Sequence, residues 1–196
     1  LGASTADDSW SEPTFRISLN HKLSDDNMIF ASVSKGYKSG GFDFNGGVLE
    51  DGGTGVDLQV PYEPEFVNAY EVGSKNKFMD GRVLANLTAF YYDYEDLQVF
   101  RLTGNGPLTD NAGQSTIYGF EGEFEFAVSE QLLFDASFGY LDATYDEYIV
   151  ERPVLTSYAG KTLNYSPEWT GHVGAEYRTA VSGGELIFRG DWSYRS

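Results

Sequence analysis

Apolar and polar residues alternate with a period of two along most of this chain. The pattern is clearest in residues 83–94, where one side carries Val83, Ala85, Leu87, Ala89 and Tyr91 and the other carries Asn86, Thr88, Tyr92 and Tyr94. Such a period predicts a β-strand with one apolar and one polar face. The run before it ends at Met79-Asp80-Gly81-Arg82, and Asp-Gly between two alternating runs predicts a tight β-hairpin.

Further copies of this unit fill the rest of the sequence. The other alternating runs cover residues 15–23, 28–37, 116–128, 132–140, 169–178 and 186–195. Together with the hairpin inside residues 62–98, they predict about eight strands in about four hairpins. Short turns follow the first, third, fifth and seventh runs, whereas residues 38–66, 101–115 and 147–168 form long connections.

The alternating connection lengths predict the topology. In an up-and-down antiparallel sheet, they place all short turns at one end and all long loops at the other, which is the plan of outer-membrane β-barrels. The sequence therefore predicts an all-β fold, an antiparallel up-and-down transmembrane β-barrel segment that occupies residues 1–196 as one unit.

Alternation alone leaves open which face is inside. A soluble, lipocalin-like barrel turns its apolar face inward, and a membrane barrel turns it outward. Two features favour the outward orientation. Aromatic residues lie at or near the ends of the apolar runs, as expected of side chains at the level of the lipid headgroups. They are Tyr91, Tyr140, Trp169, Tyr177, Trp192 and Tyr194. The polar faces carry mixed charges that suit a hydrated lumen, and the predicted lumen-lining residues are Arg16, Lys22, Glu121, Glu123, Glu125, Glu176, Arg178, Arg189 and Asp191.

Composition narrows the function classes. The chain has 14 Tyr, 14 Phe and 23 Gly, a mix that favours strands and turns, and no stretch has the apolar length of a membrane helix. A net charge of −17 argues against nucleic acid as a partner. The absence of Cys excludes thiol catalysis, Cys-ligated zinc and disulfides. The first ten residues lack the pattern of a signal peptide, so we expect a removed signal or a piece of a longer chain.

The remaining candidate chemistry is sparse. Glu121, Glu123 and Glu125 stand side by side on one strand with no opposed acid or base, so no catalytic residue is predicted. His21 and His172, both expected on a polar face, are interpreted as lumen residues with no metal role, and no cofactor is expected. Three aromatic residues beside the first long loop either stack on a ligand or pack the loop: Tyr37, Phe42 and Phe44.

Several motifs, in this order and spacing, resemble the C-terminal half of the β-barrel of TonB-dependent receptors. They are Ser34-Lys35-Gly36-Tyr37-Lys38-Ser39-Gly40-Gly41-Phe42, Tyr62-Glu63-Pro64-Glu65, Tyr70-Glu71-Val72-Gly73-Ser74-Lys75, Asp80-Gly81-Arg82, Asn86-Leu87-Thr88-Ala89-Phe90-Tyr91-Tyr92-Asp93-Tyr94, Leu97-Gln98, Gly119-Phe120-Glu121-Gly122-Glu123 and Ser166-Pro167-Glu168-Trp169. The resemblance covers residues 13–196.

The resemblance implies a bacterial outer-membrane barrel of about twenty-two strands around a plug domain. Such a receptor imports a scarce ligand, such as a ferric siderophore, cobalamin or a glycan, with energy from the TonB-ExbB-ExbD complex. Its partners would be membrane lipid, the small-molecule ligand and, through the plug, the TonB complex. The sequence lacks a plug pattern and a terminal aromatic strand, so we expect a fragment of the receptor.

Two alternatives stay open at this point. One is a soluble β-barrel or sandwich that binds a small ligand in an apolar interior. The other is a self-contained barrel of eight strands, in which the first strand pairs with the eighth. In that barrel, the carboxylates of residues 121–125 would need to pair with Arg178 and Arg189.

Overall fold

The computed structural model describes residues 7–42, 61–103, 106–150 and 155–196. It contains ten strands, β1 Phe15–Lys22, β2 Asn27–Lys38, β3 Glu65–Phe78, β4 Val83–Thr103, β5 Gly106–Ala127, β6 Leu132–Glu147, β7 Ile149–Val150, β8 Thr156–Ser157, β9 Trp169–Val181 and β10 Gly184–Arg195. Eight of them form one antiparallel sheet in the order β1-β2-β3-β4-β5-β6-β9-β10, and β7 pairs with β8. The predicted all-β, up-and-down antiparallel fold is confirmed.

The sheet is open in the part of the chain that the structure describes. β1 and β10 lie at its two edges, and each pairs with a single neighbour. A self-contained eight-stranded barrel needs β1 to pair with β10, so that alternative is not the architecture observed.

Four short turns lie at one end of the sheet, as the connection lengths predict. They comprise residues 23–26, 79–82, 128–131 and 182–183. In the predicted Asp-Gly turn, Phe78 pairs with Val83, and the Arg82 amide donates to the Met79 carbonyl over 3.2 Å. Met79, Asp80 and Gly81 all have positive φ. Asp and Gly adopt this left-handed conformation at low cost, which explains why the chain reverses here.

The predicted long loop at residues 101–115 is wrong. β4 and β5 remain paired as far as Thr103 and Gly106, so this connection is an extended hairpin. The alternation fails near Asp96, which has a φ of 54° and falls outside the ladder. Backbone hydrogen bonds form without regard to side-chain type, so a ladder continues where the period-two pattern stops. We call residues 96–103 of β4 and residues 106–113 of β5 the hairpin extension.

A small core lies beside the hairpin extension. Ala112, Tyr145 and Tyr148 are buried, and Leu97, Val99, Val150 and Leu163 pack against them. The predicted long connection between β6 and β9 supplies part of this core and pairs with β6, since the Leu163 amide donates to the Ala143 carbonyl over 2.9 Å. The long-loop end of the sheet therefore carries ordered structure of its own.

The main sheet has no buried apolar face in the described residues. Large apolar side chains remain exposed along it, for example Leu19 at 70%, Tyr70 at 50% and Phe188 at 59%. A closed soluble barrel or sandwich buries this face, whereas the described sheet leaves it exposed. No helix in the described part of the chain is long and apolar enough to cross a membrane.

Candidate functional site

The predicted lumen-lining residues share one face of the sheet, which we call the polar face. The strand registers place Arg16 opposite Ser34, Glu125 opposite Asp135, and Glu176 opposite Arg189, and paired residues point to the same side. The opposite side, which carries Leu87, Phe120 and the other apolar positions, is the apolar face. The prediction that His21 lies on a polar strand face is wrong, because His21 pairs with Ile29 on the apolar face. It follows Phe15, Ile17 and Leu19 at intervals of two.

The polar face is concave around β3, β4 and β5. The concavity measures about 540 Å³, and its lining includes Glu71, Thr88, Tyr92, Glu121 and Glu123.

Aromatic side chains cover glycine positions on the polar face. A Cβ on Gly73 would lie 2.5 Å from the Phe30 ring, and one on Gly119 would lie 2.9 Å from the Phe90 ring. Phe30 therefore occupies space above Gly73, which is why it interrupts the alternation in β2. Apolar residues on this face fill gaps left by glycine on the neighbouring strand.

Glu71 is the centre of one hydrogen-bond network on the polar face. Its Oε1 accepts from the Tyr92 hydroxyl at 3.0 Å, and its Oε2 accepts from the Ser32 hydroxyl at 3.1 Å. The Arg16 guanidinium donates to Glu71 at 3.4 Å and to Ser32 at 3.4 Å. The network ties β1, β2, β3 and β4 together. Glu71 was absent from the predicted lumen-lining residues, although it lies two residues before Gly73, on the polar side of the alternating run that became β3.

A second charged network connects β6, β9 and β10. His172 Nε2 lies 3.0 Å from Asp135 Oδ2 and 3.6 Å from Asp191 Oδ1. The Arg189 guanidinium contacts both carboxylates, at 3.1 Å from Asp135 and 2.7 Å from Asp191. It also lies 3.7 Å from Glu176, which accepts a hydrogen bond from Arg178.

This second network resembles a metal centre in its residue types. Asp135, His172 and Asp191 bring one candidate ligand atom each within 4.8 Å of one another. Arg189 already supplies the positive charge that the two carboxylates need, and it points at the atoms that a metal would bind. The arrangement is therefore satisfied as an ion-pair network, and the expectation of no metal role for His172 stays a prediction.

Glu121, Glu123 and Glu125 behave differently from these networks. They follow one another on the polar face of β5, opposite Thr88, Asn86 and Leu84 of β4. They make no ion pair with any other described residue, and Arg178 and Arg189 bind other carboxylates. Three exposed carboxylates without a cation need water around them, so this face is suited to a hydrated space.

The apolar face carries an aromatic cluster near its long-loop end. Phe120 lies 5.3 Å from Tyr140 and 6.2 Å from Trp169 between ring centroids, and Tyr140 lies 4.8 Å from Trp169. Tyr70, Tyr91 and Tyr118 pair across adjacent strands at a similar level. Rows of aromatic residues at the edge of an apolar band are typical of the lipid headgroup region of membrane barrels.

Two of the three candidate ligand residues, Tyr37 and Phe42, lie at the long-loop end. Tyr37 packs against Phe66, with ring centroids 5.7 Å apart, and its hydroxyl is buried with no hydrogen-bond partner among the described residues. Phe42 packs against Trp10, with ring centroids 6.2 Å apart. Phe44 lies outside the described residues. Tyr37 and Phe42 thus both make packing contacts within the protein.

The sequence matches a known family over nearly its whole length. Residues 2–196 match the family described as TonB dependent receptor-like, β-barrel. The chain belongs to the TonB-dependent receptors. This result agrees with the exposed apolar face, the charged polar face and the up-and-down topology. TonB-dependent receptors are outer-membrane β-barrel proteins, and the family model that this chain matches is that of the barrel.

Named relatives of this TonB-dependent receptor chain bind metal complexes. The metal-pseudopaline receptor CntO of Pseudomonas aeruginosa is 29% identical over 139 residues, which are 69% of this chain and 18% of the relative. The ferric yersiniabactin uptake receptor FyuA of Yersinia pestis has the same fold, with a TM-score of 0.66 and 19% identity over 89% of this chain and 24% of FyuA. The ferric preacinetobactin receptor BauA of Acinetobacter baumannii also has a TM-score of 0.66, with 22% identity over 93% of this chain and 25% of BauA.

The chain spans about a quarter or less of the length of these relatives.

Proposed function

We propose that this chain is a wall segment, residues 1–196, of an outer-membrane receptor that captures a scarce metal–chelator complex and imports it with energy from the TonB complex. One observation carries the proposal: a receptor-family sheet with an exposed aromatic-edged apolar face and a concave, charged polar face. A wall with these two faces separates lipid from a hydrated lumen.

The proposed ligand is a siderophore or related metallophore carrying iron or another metal. The named relatives support this class over cobalamin and glycans, since they are receptors for metal-pseudopaline, ferric yersiniabactin and ferric preacinetobactin.

The proposed roles of individual residues follow from the two faces. Lipid contacts the apolar face. The predicted set on the polar face lines the lumen, from Arg16 and Lys22 on β1 to Arg189 and Asp191 on β10. The TonB-ExbB-ExbD complex acts through a plug region elsewhere in the receptor. The proposed role contains no catalytic step, because the carboxylates at residues 121–125 face no opposed acid or base across a reacting bond.

An uptake assay tests the proposal. The full receptor is expressed in a bacterial strain that lacks other siderophore receptors, and radiolabelled metal is supplied as ferric yersiniabactin, ferric preacinetobactin or metal-loaded pseudopaline. We expect receptor-dependent uptake of at least one complex, and loss of that uptake in a matched strain without TonB. Uptake that persists without TonB, or cobalamin uptake with none of the three metal complexes, contradicts the proposal.

Phe42 offers a prediction for ligand capture. Phe42→Ala is expected to raise the half-saturation concentration for uptake about two- to tenfold, because one aromatic stacking contact contributes roughly 0.5–1.5 kcal/mol. Phe42→Leu is the matched control, since leucine keeps an apolar contact with Trp10 and removes the aromatic ring. Normal uptake in Phe42→Leu together with impaired uptake in Phe42→Ala would show that Phe42 only packs against Trp10.

A further inference from the structure

The connection between β2 and β3 begins and ends against the hairpin extension. Its described ends, residues 39–42 and 61–64, form an isolated antiparallel bridge between Gly41 and Tyr62. The Tyr62 amide donates to the Gly41 carbonyl over 2.8 Å, and the Gly41 amide donates to the Tyr62 carbonyl over 3.2 Å. The bridge stands outside the strands, so no continuous ladder supports its two hydrogen bonds.

Two amide side chains from the hairpin extension bind both ends of this connection. Gln98 Nε2 donates to the Ser39 carbonyl at 2.9 Å and to the Glu63 carbonyl at 3.1 Å. Asn111 Nδ2 donates to the same Glu63 carbonyl at 3.0 Å, and its Oδ1 accepts from the Glu63 amide at 2.9 Å. Gln98 therefore joins the beginning of the connection to its end. Asn111 binds both the amide and the carbonyl of Glu63 at that end.

The hairpin extension is itself fixed in position. Asn111 Nδ2 also donates to the Asp96 carbonyl at 2.8 Å, where the ladder is interrupted. The Gln98 amide donates to Glu65 Oε2 at 2.9 Å, which connects β4 to the start of β3. The small core of Ala112, Tyr145 and Tyr148 packs against Leu97 and Val99 of the hairpin extension. Gln98 and Asn111 thus connect the loop ends to a hairpin that has hydrogen bonds and packing contacts of its own.

Steric fit reinforces the same contact. A Cβ on Gly40 would collide with the Tyr62 carbonyl oxygen and lie 2.9 Å from the Trp10 ring. Gly40 and Pro64 are both buried. The two ends of the connection are therefore packed against each other as well as hydrogen-bonded, and Phe42 directly follows this packed segment.

We propose that Gln98 and Asn111 are positioning residues for ligand capture, which fix residues 39–42 and 61–65 in a binding-competent arrangement before ligand arrives. This inference rests on the proposed function for its effect on uptake, but the fixing of the loop ends is independent of it. Loop ends that are already ordered bind a ligand more tightly, since less conformational entropy is lost when the ligand associates.

The test uses the full receptor with the double substitution Gln98→Glu and Asn111→Asp, which keeps both side-chain sizes and removes the N–H donors. In the unliganded receptor, we expect the Gly41 and Tyr62 amides to exchange hydrogen at least about tenfold faster. Gln114→Glu on the same hairpin is the matched control, with the same kind of charge change at an exposed side chain, and it should leave both rates unchanged. If the double variant does not assemble, Gln98→Glu alone is measured in the same way.

Uptake is then measured with whichever of ferric yersiniabactin, ferric preacinetobactin and metal-loaded pseudopaline shows receptor-dependent uptake. We expect the half-saturation concentration to rise about tenfold with an unchanged maximal rate. Unchanged amide exchange, or equal exchange in the Gln114→Glu control, overturns the inference whether or not any complex is taken up. Faster exchange with a reduced maximal rate and an unchanged half-saturation concentration overturns the role in ligand capture.

Discussion

Leu87→Arg is expected to destabilise the assembled receptor by about 2–4 kcal/mol, the cost of a cationic side chain on the lipid face near the bilayer midplane. Leu87 is 45% exposed on the apolar face and lies midway between Val83 at the short turn and Tyr91 in the aromatic row. The measurement is urea unfolding of the full receptor in lipid vesicles, followed by tryptophan fluorescence.

The neighbouring residue provides a matched control. Asn86 lies on the polar face of the same strand, between Lys75 of β3 and Glu123 of β5, so an added cation there meets one charge of each sign. Asn86→Arg adds the same charge within one residue of the same depth, and it is expected to leave the unfolding midpoint nearly unchanged. A cost for Asn86→Arg that equals or exceeds the cost for Leu87→Arg would contradict the assignment of the faces.

Gly119→Ala is expected to lower the free energy of unfolding by roughly 1–3 kcal/mol, the usual cost of overpacking a filled site. The added Cβ would collide with the Tyr140 carbonyl oxygen of β6 and lie 2.9 Å from the Phe90 ring. Backbone in a central strand moves with difficulty, so the collision forces β5 and β6 apart. The same unfolding assay measures the change.

Gly171→Ala is the control for this prediction. Gly171 lies in the interior strand β9, and the nearest atom to an added Cβ is the Ser137 carbonyl oxygen at 4.0 Å. Alanine there should be neutral or slightly stabilising, because glycine loses more conformational entropy on folding. Equal destabilisation by the two substitutions would mean that the close approach at Gly119 is not what limits stability.

The local features of the fold could be predicted from the sequence. Alternation at residues 83–94 and the Asp80-Gly81 turn depend on residues close together in the chain, and the structure agrees with both. The hairpin extension could not be predicted in this way. Its residues near Gly104, Asn105 and Pro107 have the composition of a loop, whereas the ladder that holds it is made by backbone N–H and C=O groups, which every residue except proline carries in full.

The contacts of the polar face were only partly predictable. Period-two spacing placed Arg16, Glu176 and Arg189 on one face, which the registers agree with. The partners depend on registers across several strands: Arg16 meets Glu71, 55 residues away in sequence. The same limit applies to the loop ends, because Gln98 and Ser39 are 59 residues apart. Single-sequence patterns carry no information about such pairs.

The role of the two faces is tested most directly by a label scan along β4 in the full receptor in lipid vesicles. This chain contains no cysteine, so single cysteines at residues 84–89 give one spin label each within it. Collisions with dissolved oxygen and with a water-soluble nickel chelate are then measured at every position. We expect high oxygen access at Ala85, Leu87 and Ala89, alternating with low oxygen access at Leu84, Asn86 and Thr88. Uniform access, or the opposite phase, would contradict the assignment of the two faces.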